Sequence, residues 1–179
     1  MVSLRYRNVP ECSTSVQLIS KDGKPIVDHL LKKSISVDGS TKAYNRFDLF
    51  VVPGGNVESA FNDKELIDEI RRLSNASSLV ASVCTGAFLI AKAGVADGKT
   101  VATHHNFYER FRQSFPRVNL AEGHRYFRDG SLWSSAGISA GIDLSLRLVA
   151  ATWTPDVAKK VQDFLEYRPE PPFPCGKPV

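Results

Sequence analysis

Residues 78–94, SLVASVCTGAFLIAKAG, pass from an apolar run into a helical pattern with no polar loop between them. SLVASV has the near-continuous apolar character of a strand covered on both faces. TGAFLIAKA is apolar nearly all round, so the helix it forms is buried as well, and Gly94 supplies its stop. A covered strand joined this tightly to a covered helix restricts the chain to an α/β architecture, in which helices sandwich a mostly parallel sheet.

The rest of the chain repeats the alternation. VQLIS (16–20) and FDLFVVP (47–53) read as strands, the second apolar enough to be buried on both faces. NDKELIDEIRRLSN (62–75) carries Leu66, Ile67, Ile70 and Leu73 at helical spacing, with its acidic half first, as the helix dipole favours. KTVAT (99–103) predicts a fourth strand and NFYERFRQSF a short helix. HRYFRDGSLWSS predicts a hairpin excursion turning at Asp129-Gly130. ISAGIDLSLRLVAATW (138–153) reads as a helix with Ile138, Ile142, Val149 and Trp153 on one stripe. Pro155 opens another helix over PDVAKKVQDFLEY. Residues 168–179 form a proline-rich tail, and the expectation is a single domain over 1–179.

The strand-to-helix junction places Cys84 at the carboxyl edge of the sheet, beside the first amides of a helix. Unpaired N–H groups and the helix dipole favour a thiolate there, so Cys84 is a candidate nucleophile; the alternative is a small core-filling residue. VVPGGN ends a second buried strand in Gly54-Gly55, which permits close backbone approach to a ligand. The amides of Gly55 and Thr85 are expected to flank a developing oxyanion, where one donor is worth about 3 kcal/mol. His104, after KTVAT, reaches the same edge and is a candidate proton relay, with a structural role as the alternative. His105 is expected to cap the next helix.

Composition narrows the function classes. Hydrophobic residues make up 42% of 179, ample for a buried core, and no stretch approaches the roughly 20 apolar residues of a membrane span. The first residues lack the apolar region of a signal peptide, so a cytoplasmic protein is expected. A net charge of +4 is scattered among nineteen acidic residues, which argues against nucleic acid as a partner. Three cysteines, Cys12, Cys84 and Cys175, with no CxxC spacing, argue against a disulfide framework and a structural zinc site, and no metal ligand set stands out. Cys12 and Cys175 lack an elbow.

FVVPGGN, ASVCTGAFLIAKAGVADGKTVATHH and RDGSLWSSAGISAGIDLSLRLV, in that order, resemble the ThiJ/PfpI superfamily of class I glutamine-amidotransferase-like proteins, over roughly residues 45–178. The resemblance implies a flavodoxin-like fold, Cys84 as nucleophile, Gly54, Gly55 and Thr85 at the substrate, and His104 as a neighbour of the site. VCTG, without a histidine after the cysteine, departs from the protease branch. LEYRPEPPFPCGKP is similar to the tail of isonitrile hydratases, which use the elbow cysteine to hydrate R-NC to a formamide.

Members of that family begin with a buried strand and a turn bearing an acid close to the cysteine. VSLRYRNVP resembles the remnant of the following helix, so the expectation is a chain lacking that strand and acid, with Glu58 as a candidate substitute or else an exposed helix start. An unpaired sheet edge and the small residues Ala136, Gly137, Ala140 and Gly141 favour a homodimer. Asp143 is explained by the dipole of its helix, Trp133 and Trp153 as core or interface anchors, and His29 and His124 have no evident partner. Three functions follow. The first is a cofactor-free, cysteine-dependent hydratase or hydrolase of the isonitrile hydratase type acting on a small molecule, weak if the acid is missing. The second is a non-catalytic ligand sensor related to AraC-type regulators, and the third a carbonyl-stress or redox protein.

Overall fold

The computed structural model describes residues 14–27 and 32–169, which belong to two compact units, one up to Tyr44 and one from Asn45. Cys12, Cys175, His29 and nearly all of the proline-rich tail lie outside the described residues.

The first unit carries only two-residue strands. β1 (Ile19–Ser20) pairs in parallel with β4 (Gly39–Ser40), and β2 (Ile26–Val27) pairs antiparallel with β3 (Ser34–Ile35). The strand expected over 16–20 is thus reduced to its last two residues. Val16 is 84% exposed, so the apolar residues at its start have no covering layer to hold them in a ladder.

In the second unit a four-stranded sheet runs β5 (Leu49–Val52), β6 (Leu79–Val83), β10 (Leu132–Ser135), β9 (Tyr126–Asp129). β5, β6 and β10 are parallel, and β9 is the antiparallel arm of the hairpin. Gly130, at φ +62°, turns that hairpin in a conformation only glycine takes freely. The hairpin is built into the sheet: all four residues of β10 are buried and lie against β6. Val51 is 44% exposed while Phe50 and Val52 are buried, so β5 is covered on one side and not on both as expected. β-branched residues suit a strand on either face, and an apolar run does not report its cover.

The helices are α1 (Glu58–Asn62), α2 (Lys64–Ala76), α3 (Gly86–Lys92), α4 (Tyr108–Ser114), α5 (Ala140–Thr152) and α6 (Pro155–Phe164). Asp63 caps α2 by accepting from Leu66 N at 3.1 Å, and Ile67, Ile70 and Leu73 form its buried stripe. α3 packs on β5 and β6, with α1 and α2 against it, whereas α5 packs on β9 and β10 and carries α6. Ala81 and Trp133 are register partners sharing the face that Leu144 and Leu148 of α5 cover. Their neighbours Val80 and Leu132 are buried on the other face. Each such leucine contributes about 1.5–3 kcal/mol of burial.

Two expectations are corrected here. β7 (Thr100–Val101) pairs with β8 (Asn119–Leu120) and not with the main sheet. Thr100 N–H donates to Asp129 Oδ2 at 2.8 Å and Ala102 N–H to Ser134 Oγ at 2.7 Å, so side chains tie this segment to the hairpin in place of a ladder. On α5 the stripe of Ile138, Ile142 and Trp153 points outward, at 87%, 41% and 39% exposure. The inward row is Ala140, Leu144 and Leu148, with Gly141 so close that a Cβ there would lie 3.1 Å from Val83 Cγ1. Small residues, not the largest ones, mark the packed face.

Candidate active site

Cys84 and Thr85 alone separate β6 from α3. Cys84 takes φ +56°, a left-handed conformation that costs a non-glycine residue about 1–3 kcal/mol. Neighbouring elements enforce it. Cys84 N–H donates to Ser135 O at 3.0 Å, and Cys84 O accepts from Thr103 Oγ1 at 2.8 Å. Glycines make the close approaches: a Cβ on Gly54 would lie 2.7 Å from Val83 O and 2.9 Å from Cys84 Cβ, and one on Gly86 would collide with Val52 O. The thiol is free and partly exposed.

Thr85 defines the next layer. Its hydroxyl accepts from Gly55 N–H at 2.9 Å and donates to Gly55 O at 2.8 Å, clasping the loop after β5 to the elbow. Of the two amides expected to flank an oxyanion, Gly55's is therefore committed to Thr85 Oγ1. Among the described residues the Thr85 and Gly86 amides have no hydrogen-bond partner. The open donors at the elbow are thus the two at the start of α3, and Gly55 acts through the clasp.

His104 follows the Thr103 anchor and packs so tightly on Gly137 that a Cβ there would lie 2.8 Å from its Cδ2. Its Nδ1 accepts from Asn106 N–H at 3.2 Å, which leaves the proton on Nε2. Burial, with the neighbouring charge of His105, lowers its pKa and favours the neutral ring. His105 stacks on it with ring centroids 4.5 Å apart, and it is His104 that caps the turn over His105–Phe107. Among the described residues no hydrogen bond reaches Cys84 Sγ, from His104 or from any carboxylate. Glu58 is largely exposed and accepts from Arg110 at 3.0 Å, so it is placed as the partner of an arginine.

A cavity of about 260 Å³ adjoins the elbow, with Gly55 and Thr85 in its wall. Phe61, Phe88 and Phe107 line it from α1, α3 and the turn before α4, with Val57, Glu58 and Arg110. A larger hollow of about 620 Å³ lies elsewhere, where α2, α3 and α4 end. Its basic side chains answer those carbonyl ends, as Arg71 does by donating to Ala93 O at 2.8 Å, so we place the chemistry at the smaller cavity. No set of three or more His, Cys, Asp or Glu among the described residues could hold a metal ion.

Several site contacts were missed from sequence. Thr103 and Ser135 anchor the elbow through bonds between distant segments, which no local pattern announces. Asp143, assigned to a helix dipole, pairs with Arg125 and accepts from Tyr167 OH at 2.9 Å. Burial first, and that bond second, raise the tyrosine pKa.

Comparison with known proteins agrees with this geometry. The chain is 37% identical over 132 residues to the isonitrile hydratase of Pseudomonas putida, covering 73% of this chain and 57% of that one. It is 27% identical over 146 residues to the HTH-type transcriptional regulator CdhR of Pseudomonas aeruginosa, covering 82% and 43%. It thus spans about half the length of these curated relatives. A crystal structure of a ThiJ/PfpI family protein from Pseudomonas syringae superimposes with a TM-score of 0.80 at 23% identity, over 90% of this chain and 66% of that one. The model of the DJ-1/PfpI family matches residues 3–151, the stretch that contains the elbow, its clasp and both anchors. The chain belongs to the DJ-1/PfpI family.

Proposed function

We propose that this chain is a cofactor-free hydratase that uses Cys84 to add water to a small isonitrile, R-NC, giving the formamide R-NH-CHO. The observation that carries the proposal is Cys84 held at φ +56° beside the open Thr85 and Gly86 amides. Similarity to the P. putida isonitrile hydratase supports the choice of reaction. In the first step Sγ bonds to the isonitrile carbon, which takes up the thiol proton and becomes R-N=CH-S. Water then adds to that carbon, a proton moves to nitrogen, and the C–S bond breaks to release R-NH-CHO and the thiol. The amides stabilise charge developing in the addition.

Proton transfer is the weak part of such a site. A neutral His104 with Nδ1 engaged is a poor acid, and Glu58 faces Arg110. General acid help is worth about 10² to 10⁴ in rate, and slow turnover is expected without it. Cyclohexyl isocyanide consumption, followed as formamide appearance, tests the reading. Wild type should turn over and Cys84→Ala should not; turnover that survives the alanine removes Cys84 from the mechanism. Similarity to CdhR favours a second reading, a ligand-sensing domain, which predicts saturable binding without turnover. Assembly as a homodimer belongs to the same proposal, and a light-scattering mass near 19.7 kDa at micromolar concentration would exclude it.

A further inference from the structure

The cavity beside the elbow has a composition that the reaction at Cys84 does not by itself require. Its volume of about 260 Å³ is small beside the roughly 300–1,000 Å³ of typical ligand sites, so its occupant is compact. Three phenylalanines and Val57 supply apolar walls. Phe88 sits edge-on to Phe107 at 6.1 Å and is held from behind by Phe111 at 4.9 Å, so the wall is a packed aromatic cluster.

Aromatic walls next to a carboxylate would ordinarily suit a quaternary ammonium group. Here that role is already taken. Lys92 Nζ stands 4.8 Å over the Phe61 ring, and the Arg110 guanidinium 5.8 Å from the Phe88 ring. Arg110 also holds the Glu58 carboxylate at 3.0 Å. A cationic ligand would meet two resident cations and a neutralised acid. An anionic one would have to displace Glu58 from Arg110 and leave it unpaired. A neutral ring meets neither obstacle.

We propose that this cavity receives the neutral substituent R of the substrate, a compact carbocyclic or aromatic ring bounded by Val57, Phe61, Phe88 and Phe107, with the reacting group directed past Gly55 and Thr85 to Cys84. The assignment rests on the hydratase reading for the identity of the reacting group, and on the cavity alone for the ring. Val57, at the start of α1, is the position from which specificity is set, because a larger side chain there fills the space without entering the core.

Calorimetry on the full chain tests the assignment with unreactive probes. N-cyclohexylformamide should bind wild type at least about tenfold more tightly than tetramethylammonium or cyclohexanecarboxylate. Val57→Trp, with an unchanged far-ultraviolet circular dichroism spectrum, should weaken the formamide about ten- to a hundredfold. Phe107→Ala enlarges the cavity and should shift preference toward N-adamantylformamide by at least about fivefold. Preference for either charged probe, or unchanged binding in both folded variants, overturns the proposal. Formamide binding that Val57→Trp abolishes, in a protein that does not hydrate cyclohexyl isocyanide, leaves the cavity as the ring site and removes the hydratase reading. Cys84-dependent hydration that runs equally fast in Val57→Trp does the reverse.

Discussion

Gly86→Ala sets two physical effects against each other at the elbow. Helix propensity favours alanine over glycine by about 1 kcal/mol in a helical position. Close approach opposes it: a Cβ there would strike Val52 O and lie 2.8 Å from Pro53 O and 3.0 Å from Pro53 C. Comfortable separations begin near about 3.5 Å, so the start of α3 and the end of β5 must part by roughly half an ångström or more. Both partners are backbone atoms, which cannot swing aside as a side chain would. The overpacking cost therefore falls at or above the top of its usual range of about 1–3 kcal/mol. Net destabilisation of about 2 kcal/mol is expected, opposite in sign to propensity, with a fall in melting temperature of about 5–10 °C. Urea denaturation followed by far-ultraviolet circular dichroism measures it. A variant as stable as wild type, or more so, would refute the close approach and with it the account of how Cys84 is held.

Limited iodoacetamide at about pH 6–6.5 should label Cys84 before Cys12 or Cys175 in the folded protein, as read by mass spectrometry, and the reverse order would sink the elbow argument. His104 has its pKa lowered from 6.5, so the unfolded chain binds more protons and stability is lost as pH falls through about 6.5; His104→Gln should flatten that slope, and identical slopes would contradict the buried neutral ring. Arg125→Ala and Asp143→Asn should each lower stability by about 1 kcal/mol and be less than additive together, whereas a purely dipolar role for Asp143 predicts a silent Arg125→Ala.

What the sequence made legible is the part that local pattern controls. The β6–α3 elbow, the α2 stripe of Ile67, Ile70 and Leu73, the Asp129-Gly130 hairpin and Pro155 at a helix start all follow from periodicity and turn chemistry within one segment. The place of β10 beside β6 depends on pairing between segments some fifty residues apart, and nothing within either specifies it. β7 stays out of the main ladder because Ser134 and Asp129, further along the chain, take its N–H groups. The outward turn of Ile138 and Ile142 was hidden by a rule that equates size with burial, when Gly141 permits the closest contact. The cavity was invisible because its phenylalanines come from three separate elements.

The anchoring of Cys84 to Ser135 has a temporal consequence. On the ribosome the thiol emerges well before Ser135, and Thr103 comes between them. Until β10 has been synthesised and has slid in beside β6, nothing holds the cysteine in its left-handed conformation, and the nascent segment is free to relax to an ordinary turn. The reactive geometry is therefore a late product of biosynthesis, appearing only as the sheet closes, so that a nascent or prematurely terminated chain carries this cysteine without the conformation that makes it chemically distinctive.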